Sequence, residues 1–293
     1  MHVFLTGATG WVGAKVAEVL LAAGHQVSGL ARNEEKARAF IAAGGKVVYG
    51  TLDDSQLLFD AAAKADAVIH TAFNHDFSRF AENCAQDERA ITVMGDALRG
   101  SSRPLLVTSG LARLVAGRPA TEEDAPASGP DYLRRSEQAA LALAQQGVKA
   151  ACVRLAPTVH GVGDRGFIPF LIALAKQSGV SAWQEDGSNR WAAVHRNDAA
   201  TVYRLALESG VTQPVYHAVA EEGIAMREIA IAIGKMLRVP AEPREASHFG
   251  WFAGFAGMEM SAASEQTRRT LGWQPAGRDL LTDLHDTNYY VNS

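Results

Sequence analysis

Short apolar runs recur along the first half of the chain, at Val3–Leu5, Gln26–Leu30, Lys46–Tyr49, Ala67–Thr71, Leu105–Thr108 and Ala150–Leu155. Between them lie segments with apolar positions at helical spacing, among them Ala14–Ala23, Glu34–Ala43 and Ser136–Gln145. Strands separated by helices of this length need crossover connections, so the pattern predicts a parallel sheet covered on both faces. The expected fold class is α/β, a Rossmann-type doubly wound parallel sheet.

The alternation weakens after about residue 156. The stretches "GVGDRGFIPF" and "QEDGSNRW" read as loops, and a helix is expected over Asp198–Ser209 with Asp198 as its cap. A strand at Pro214–Ala218 and a helix at Met226–Leu237 follow. Pro240–Arg244 and the aromatic-rich "HFGWFAGFAGMEM" then lead into a terminal helix. The expected organisation is a nucleotide-binding domain over residues 1–156, to which 191–218 returns, with a small C-terminal substrate lobe from 157–190 and 219–293.

Composition narrows the partners. The chain has 293 residues, 47% hydrophobic and 20% charged, with a formal net charge of -4, so no basic excess points to nucleic acid. Its two cysteines, Cys84 and Cys152, give neither a disulfide framework nor a metal-ligand spacing, and they read as buried thiols in a reducing compartment. No metal is expected. The chain starts directly on a strand, without the pattern of a signal peptide, and no apolar run approaches the roughly 18 residues of a membrane span. A cytoplasmic protein with a small-molecule substrate, and no membrane partner, is therefore expected.

The opening "TGATGWVG" carries Gly7, Gly10 and Gly13 where a strand must turn sharply into a helix. Glycines there permit a tight turn, close approach of backbone to a pyrophosphate, and close helix–strand packing. The phosphates would meet the amides and positive dipole end of the helix starting near Trp11. The competing reading is a turn built for packing alone. At the end of the second strand an NAD site places a carboxylate, whereas an NADP site tolerates a phosphate beside an arginine. Here Ala31 takes the acid's place, Arg32 follows, and Lys36 lies a turn further on. NADP(H) is therefore preferred, with NAD(H) as the alternative if Arg32 is only a solvated surface charge.

On these residues the chain resembles the extended short-chain dehydrogenase/reductase superfamily, the group of the nucleotide-sugar epimerases and dehydratases. "TGATGWVG" matches its TGxxGxxG turn, and "GTLDD" resembles GDLxD, with Thr51 for the usual Asp. "VIHTAF" is similar to VxHLAA, "RLAPTVHG" to LRPxxVYG, "WAAVHRNDAA" to FVHVDDVA, and "LGWQP" to LGWxP. The resemblance implies a cofactor site built from Gly7, Thr9, Gly10, Trp11, Val12, Gly13, Leu52, Thr71, Ala72, Phe73, Thr108, Pro157 and Val159, besides Arg32 and Lys36. It also implies a homodimer.

The catalytic elements depart from the family, whose proton donor is the tyrosine of YxxxK. In "DYLRRSEQAAL" one register sets Leu133 at the tyrosine and Glu137 at the lysine; the other sets Tyr132 at the tyrosine and Ser136 at the lysine. Neither restores the pair, and a phenol of ordinary pKa near 10 benefits from a nearby cation. In "LLVTSGLA", Gly110 stands at the usual serine, just after Thr108 and Ser109.

The remaining candidates lie after the strands. Ser109 and Tyr132 are candidate proton donors; His160, where the family has tyrosine, and His75, beside Asp76, are candidate catalytic groups. His75–Asp76 also reads as a plain polar loop, and His195 as structural packing. Arg154 is expected to position a loop. Asn74, Phe73, Trp191, His248 and Trp251 are candidates for the substrate pocket, the aromatics equally suiting a core. The leading expectation is an NADP(H)-dependent oxidoreductase for a small carbonyl-type substrate. The alternatives are a non-catalytic NAD(P)-binding or redox-sensing protein and an epimerase or dehydratase.

Overall fold

The computed structural model describes residues 1–112, 114–115, 117–129 and 132–290. Its first half repeats strand and helix: β1 (His2–Thr6), α1 (Trp11–Ala22), β2 (Gln26–Ala31), α2 (Glu34–Ala42), β3 (Lys46–Tyr49), α3 (Ser55–Ala63), β4 (Ala67–His70), α4 (Phe80–Asp96), β5 (Pro104–Gly110), α5 (Ser136–Gln145) and β6 (Lys149–Leu155). Then come β7 (Thr158–His160), α6 (Phe167–Ser178), β8 (Ser181–Trp183), β9 (Arg190–His195), α7 (Arg196–Glu208), β10 (Val215–Ala218), β11 (Glu221–Ala225) and α8 (Met226–Leu237). The chain closes with β12 (Ala241–Pro243), α9 (Ala253–Ala256), α10 (Glu265–Leu271) and α11 (Leu280–Leu284).

Seven strands form one parallel sheet in the order β10-β6-β5-β4-β1-β2-β3. The apolar runs are continuous because both faces are covered. Val3 and Leu5 of β1 pack with Val16 and Leu20 of α1 and Val202 and Tyr203 of α7. Phe4, between them, faces Leu58 of α3, Ile91 of α4 and Leu143 of α5. Each fully buried aliphatic side chain of this kind contributes about 1.5–3 kcal/mol relative to exposure.

The smaller lobe has its own core, made by Ile168 and Ile172 of α6, Ile229 and Ile233 of α8, Phe249, Phe252 and Leu284. β9 serves both: Trp191 and Ala193 enter the small core while Ala192 and Val194 enter the large one. Ala262 and Trp273, sequence neighbours of the lobe, also pack on the large core. The chain therefore crosses between the two more often than the sequence suggested.

One expected cap is corrected. Helix α7 starts at Arg196 with His195 as its N-cap, whose Nδ1 accepts from Asn197 N at 3.3 Å. Asp198 instead accepts from the amides of Ala276 and Gly277, at 3.1 and 2.7 Å, and so tethers the C-terminal segment. Cys84 and Cys152 are buried and unpaired, and burial raises both thiols, Cys84 to about 11. Among the described residues no helix is long and apolar enough to cross a membrane.

Candidate functional site

The three glycines of the first turn do different work. Gly7 has φ +75°, and a Cβ there would lie 2.6 Å from Thr71 Oγ1 and 2.8 Å from Ala72 N. A Cβ on Gly13 would collide with the Gly7 carbonyl and with Thr71 Oγ1. These two let helix and strand approach. A Cβ on Gly10 would meet only Gly7 O, at 3.2 Å, so its missing side chain leaves open space in front of α1. Gly10 is the N-cap of α1 and offers no side chain to the first-turn amides, which leaves them to an anion. A pyrophosphate fits this cradle.

The surrounding groups extend it. Trp11 Nε1 donates to Val159 O at 2.7 Å, with the Arg196 guanidinium 4.1 Å over its ring, so the stretch holding Pro157 and Val159 is tied to the turn. Thr71 Oγ1 donates to Thr6 O at 2.8 Å and sets Ala72 beside Gly7, with Phe73 following it in the chain. Ala31 ends β2 buried, with Arg32 and Lys36 exposed beyond it and Leu52 half-buried nearby. Thr9 is also half-buried. No carboxylate stands at the end of β2.

The second cluster lies at the carboxyl ends of β4 and β5. The long segment between β5 and α5 is pinned by Arg154, which donates to Thr121 O at 3.3 Å and Asp124 O at 2.7 Å. Glu122 strengthens the hold by accepting from Thr267 N and Oγ1 at 2.8 and 2.7 Å. The segment returns with Tyr132, whose backbone N donates to Gly129 O at 3.2 Å. Burial raises the Tyr132 phenol above its ordinary value of 10.0, against the opposing charge of Arg134. Tyr132 also borders an open cleft of about 370 Å³ between α4 and α5.

The structure separates the two registers of the altered motif. Leu133 is exposed, and Glu137 is an ion-pair partner of Arg154. Ser136, at the lysine position of the Tyr132 register, is wholly buried and donates to Asp87 Oδ2 at 2.5 Å. The cation next to Tyr132 is Arg134, which the sequence reading passed over. Its guanidinium lies 4.3 Å over the Phe73 ring, and it donates to Thr108 O at 3.2 Å and Ser136 Oγ at 3.0 Å. The missing signal was local: nothing in the spacing told which of the adjacent Arg134 and Arg135 turns inward.

Several candidates lie elsewhere. Thr108 Oγ1 is engaged inside, with His70 O at 2.7 Å and Tyr203 OH at 2.8 Å, so its hydroxyl is not offered to a ligand. His160 is fully buried, its Nδ1 2.7 Å from Asp283 Oδ2 and its Nε2 3.7 Å from Glu221; as a catalytic group it is corrected to an interior clamp. Trp191 is also corrected: it has no exposed surface, and its Nε1 donates to Met258 O at 3.2 Å. His248 faces the small lobe's interior between α6 and α8, with Leu171, Ala175 and Ile233.

His75 and Asp76 do not act as a pair. Asp76 accepts from Ser78 N at 3.1 Å and from its hydroxyl, capping the 3-10 turn Phe77–Arg79, and Asn74 accepts from Asp76 N at 3.3 Å. His75 sits between Phe73 and Phe77, with ring centroids 5.4 and 6.3 Å away, and desolvation and the Arg134 charge lower its pKa. Phe77 stacks on Trp251 at 5.1 Å, joining the segment after β4 to the small lobe. Trp251 in turn meets Phe170 edge-on at 5.2 Å. No cluster of metal-ligating side chains occurs among the described residues.

The chain is 45% identical over 295 residues to uncharacterized protein C2A9.02 of Schizosaccharomyces pombe, covering 99% of this chain and 100% of that protein. It is 25% identical to the 4-hydroxy-2-methyl-3-oxo-4-farnesyl-3,4-dihydroquinoline-1-oxide ketoreductase of Stigmatella aurantiaca, over 95% of this chain and 92% of the relative. The fold superposes on the dTDP-glucose 4,6-dehydratase DesIV of Streptomyces venezuelae, solved with NAD and TYD bound. The TM-score is 0.78 at 19% identity, covering 99% of this chain and 96% of the other. The profile of the NAD dependent epimerase/dehydratase family matches residues 3–219. The chain belongs to that family.

Proposed function

We propose that this protein is a reductase of small carbonyl compounds that draws its hydride from NADPH. The observation that carries the reading is the hydrogen bond from Arg134 to Thr108 O at 3.2 Å, which brings the segment carrying Tyr132 to the end of β5, where Ser109 lies buried. A reductase needs a group that is protonated at neutral pH and hands its proton to the developing alkoxide. Burial holds the Tyr132 phenol above its ordinary range, so it keeps that proton. Ser109 then serves as the second hydrogen-bond donor to the carbonyl oxygen. An epimerase or dehydratase reading would need a base at this place, and a phenol that burial keeps protonated at neutral pH does not supply one.

A bound nicotinamide cofactor supplies the hydride. The protein's part is to hold it: the α1 amides and the space at Gly10 take the pyrophosphate, and Arg32 with Lys36 takes the ribose phosphate. Phe73, Phe77, His75 and Trp251 form an aromatic roof over the strand ends, with Asn74 at its margin, and it favours a compact, uncharged substrate. A cytoplasmic location and a homodimer complete the reading. Buried free thiols suit a reducing compartment.

The test is fluorescence titration with NADPH and NADH, followed by cofactor consumption against a panel of small aldehydes and ketones. Preferred binding of NADPH with turnover of part of the panel supports the proposal. Tight binding without turnover, in wild-type protein, favours the non-catalytic alternative left open by the absent lysine.

A further inference from the structure

We propose that Arg134 is the fixed cation of this site, held over Phe73 by Ser136 and Thr108 and balanced from the interior by Asp87, and that it provides beside Tyr132 the positive charge which the YxxxK lysine provides in the family. The inference rests on the reductase reading for the role of Tyr132, and it names the residue that completes that site.

Three arrangements support it. First, Arg134 is placed by directed contacts, with Nε on Ser136 Oγ, Nη2 on the Thr108 carbonyl and the plane over the Phe73 ring. Thr108 directly precedes Ser109, so the guanidinium is anchored one residue from the buried Ser109 and two residues along the chain from Tyr132. A planar guanidinium keeps one face and one edge in such a setting, which a lysine ammonium cannot do.

Second, Ser136 stands at the lysine's position but works as a bridge. Its hydroxyl donates to Asp87 and accepts from Arg134. Both Ser136 and Asp87 are shut from solvent, and a buried carboxylate requires compensating charge and hydrogen bonds. Asp87 receives them from His70 Nε2 at 2.9 Å, from Ser136 and from the Arg134 charge.

Third, the network continues to the glycine turn, since His70 Nδ1 lies 2.7 Å from Thr6 Oγ1, next to Gly7. One chain of polar groups, buried from Thr6 through His70 and Asp87 to Ser136, thus joins the glycine turn to Arg134, two residues from the candidate proton donor Tyr132. A surface arginine bracing a loop has no need of it.

The experiment reads Tyr132 and the cofactor separately from turnover. Protein carrying fluorotyrosine, which titrates at lower pH than tyrosine, is followed by 19F NMR, and the Tyr132 signal is assigned by its loss in Tyr132→Phe. The groups acting on Tyr132 are Ser109, Arg134, Glu137 and Cys152. Arg134→Gln is expected to raise the Tyr132 midpoint by about one unit, a tenfold shift in its ionisation, and Arg134→Lys to restore most of it. NADPH affinity, titrated without substrate, is expected to fall in Arg134→Gln and recover in Arg134→Lys. An unchanged Tyr132 midpoint in folded Arg134→Gln protein overturns the inference. If that variant does not fold, Ser136→Ala decides: a displaced Tyr132 midpoint supports the bridge and an unmoved one rejects it. Failure of wild-type protein to reduce any carbonyl defeats the reductase reading and leaves the 19F result standing.

Discussion

Arg154 of β6 donates to both carboxylate oxygens of Glu137 in the first turn of α5, at 2.6 and 2.9 Å, and both side chains are buried. This pair explains why an acid occupies the lysine position of one register. Glu137 serves the strand behind it, and through Arg154 it holds the backbone at Thr121 and Asp124. Residues 121–124 of the segment after β5 are therefore anchored from beneath.

Breaking this pair leaves an uncompensated buried charge. Arg154→Met is expected to cost about 3–5 kcal/mol of stability, read as a lower denaturant midpoint. Glu137→Lys sets two cations against each other and should destabilise at least as much, without restoring a catalytic lysine. A Glu137→Lys protein of wild-type stability would show that the ion pair has been given too much weight.

The glycine turn predicts a split between folding and binding. Gly7→Ala should lower the melting temperature, because φ +75° and the contacts at 2.6 and 2.8 Å oppose a side chain. Gly10→Val should melt near wild type yet lose NADPH binding, because its side chain enters the space left for the pyrophosphate. Thermal melts and cofactor titrations on the two variants check this, and equal effects on both readouts argue against separate roles.

Arg32 is expected to decide between the cofactors. Arg32→Ala should weaken NADPH binding about tenfold, roughly 1.4 kcal/mol, while NADH binding changes little. Loss of affinity for both cofactors in equal measure speaks against contact with a ribose phosphate.

The His160 clamp gives a pH dependence. Burial lowers the pKa of this imidazole, but the hydrogen bonds and charges of Asp283 and Glu221 outweigh it and leave the pKa above the ordinary 6.5. A raised folded pKa means that the clamp's stabilisation is fully present below pH 6.5 and is lost as pH rises through the folded value. Urea midpoints measured from slightly acidic to alkaline pH should fall in wild type, and fall less in His160→Gln. Parallel profiles would refute the assignment.

The aromatic roof should govern substrate size. Trp251 is 57% exposed and stacks on Phe77, so Trp251→Ala should cost little stability. Its expected effect is a higher KM for small carbonyls with NADPH affinity unchanged, measured by steady-state kinetics and titration. Unaltered kinetics with every member of the panel would place the substrate elsewhere.

The sequence by itself determined the doubly wound sheet and the glycine turn. Val3–Leu5, Ala67–Thr71 and Leu105–Thr108 are short apolar runs separated by helix-length segments, an alternation that a parallel sheet covered on both faces satisfies, and Gly7, Gly10 and Gly13 answer to local backbone geometry. Helices such as Ser136–Gln145 and Met226–Leu237 have the bounds their periodicity predicts. Only the tertiary structure decided the chemistry around them. Tyr132 and Arg134 lie at the end of a long aperiodic segment whose path is set by Arg154, Glu122 and Thr267, partners far apart in the chain. His160, Trp191 and Asp198 read alike as site or scaffold, because residue type names the groups a side chain can bind but not which of them the fold brings within reach.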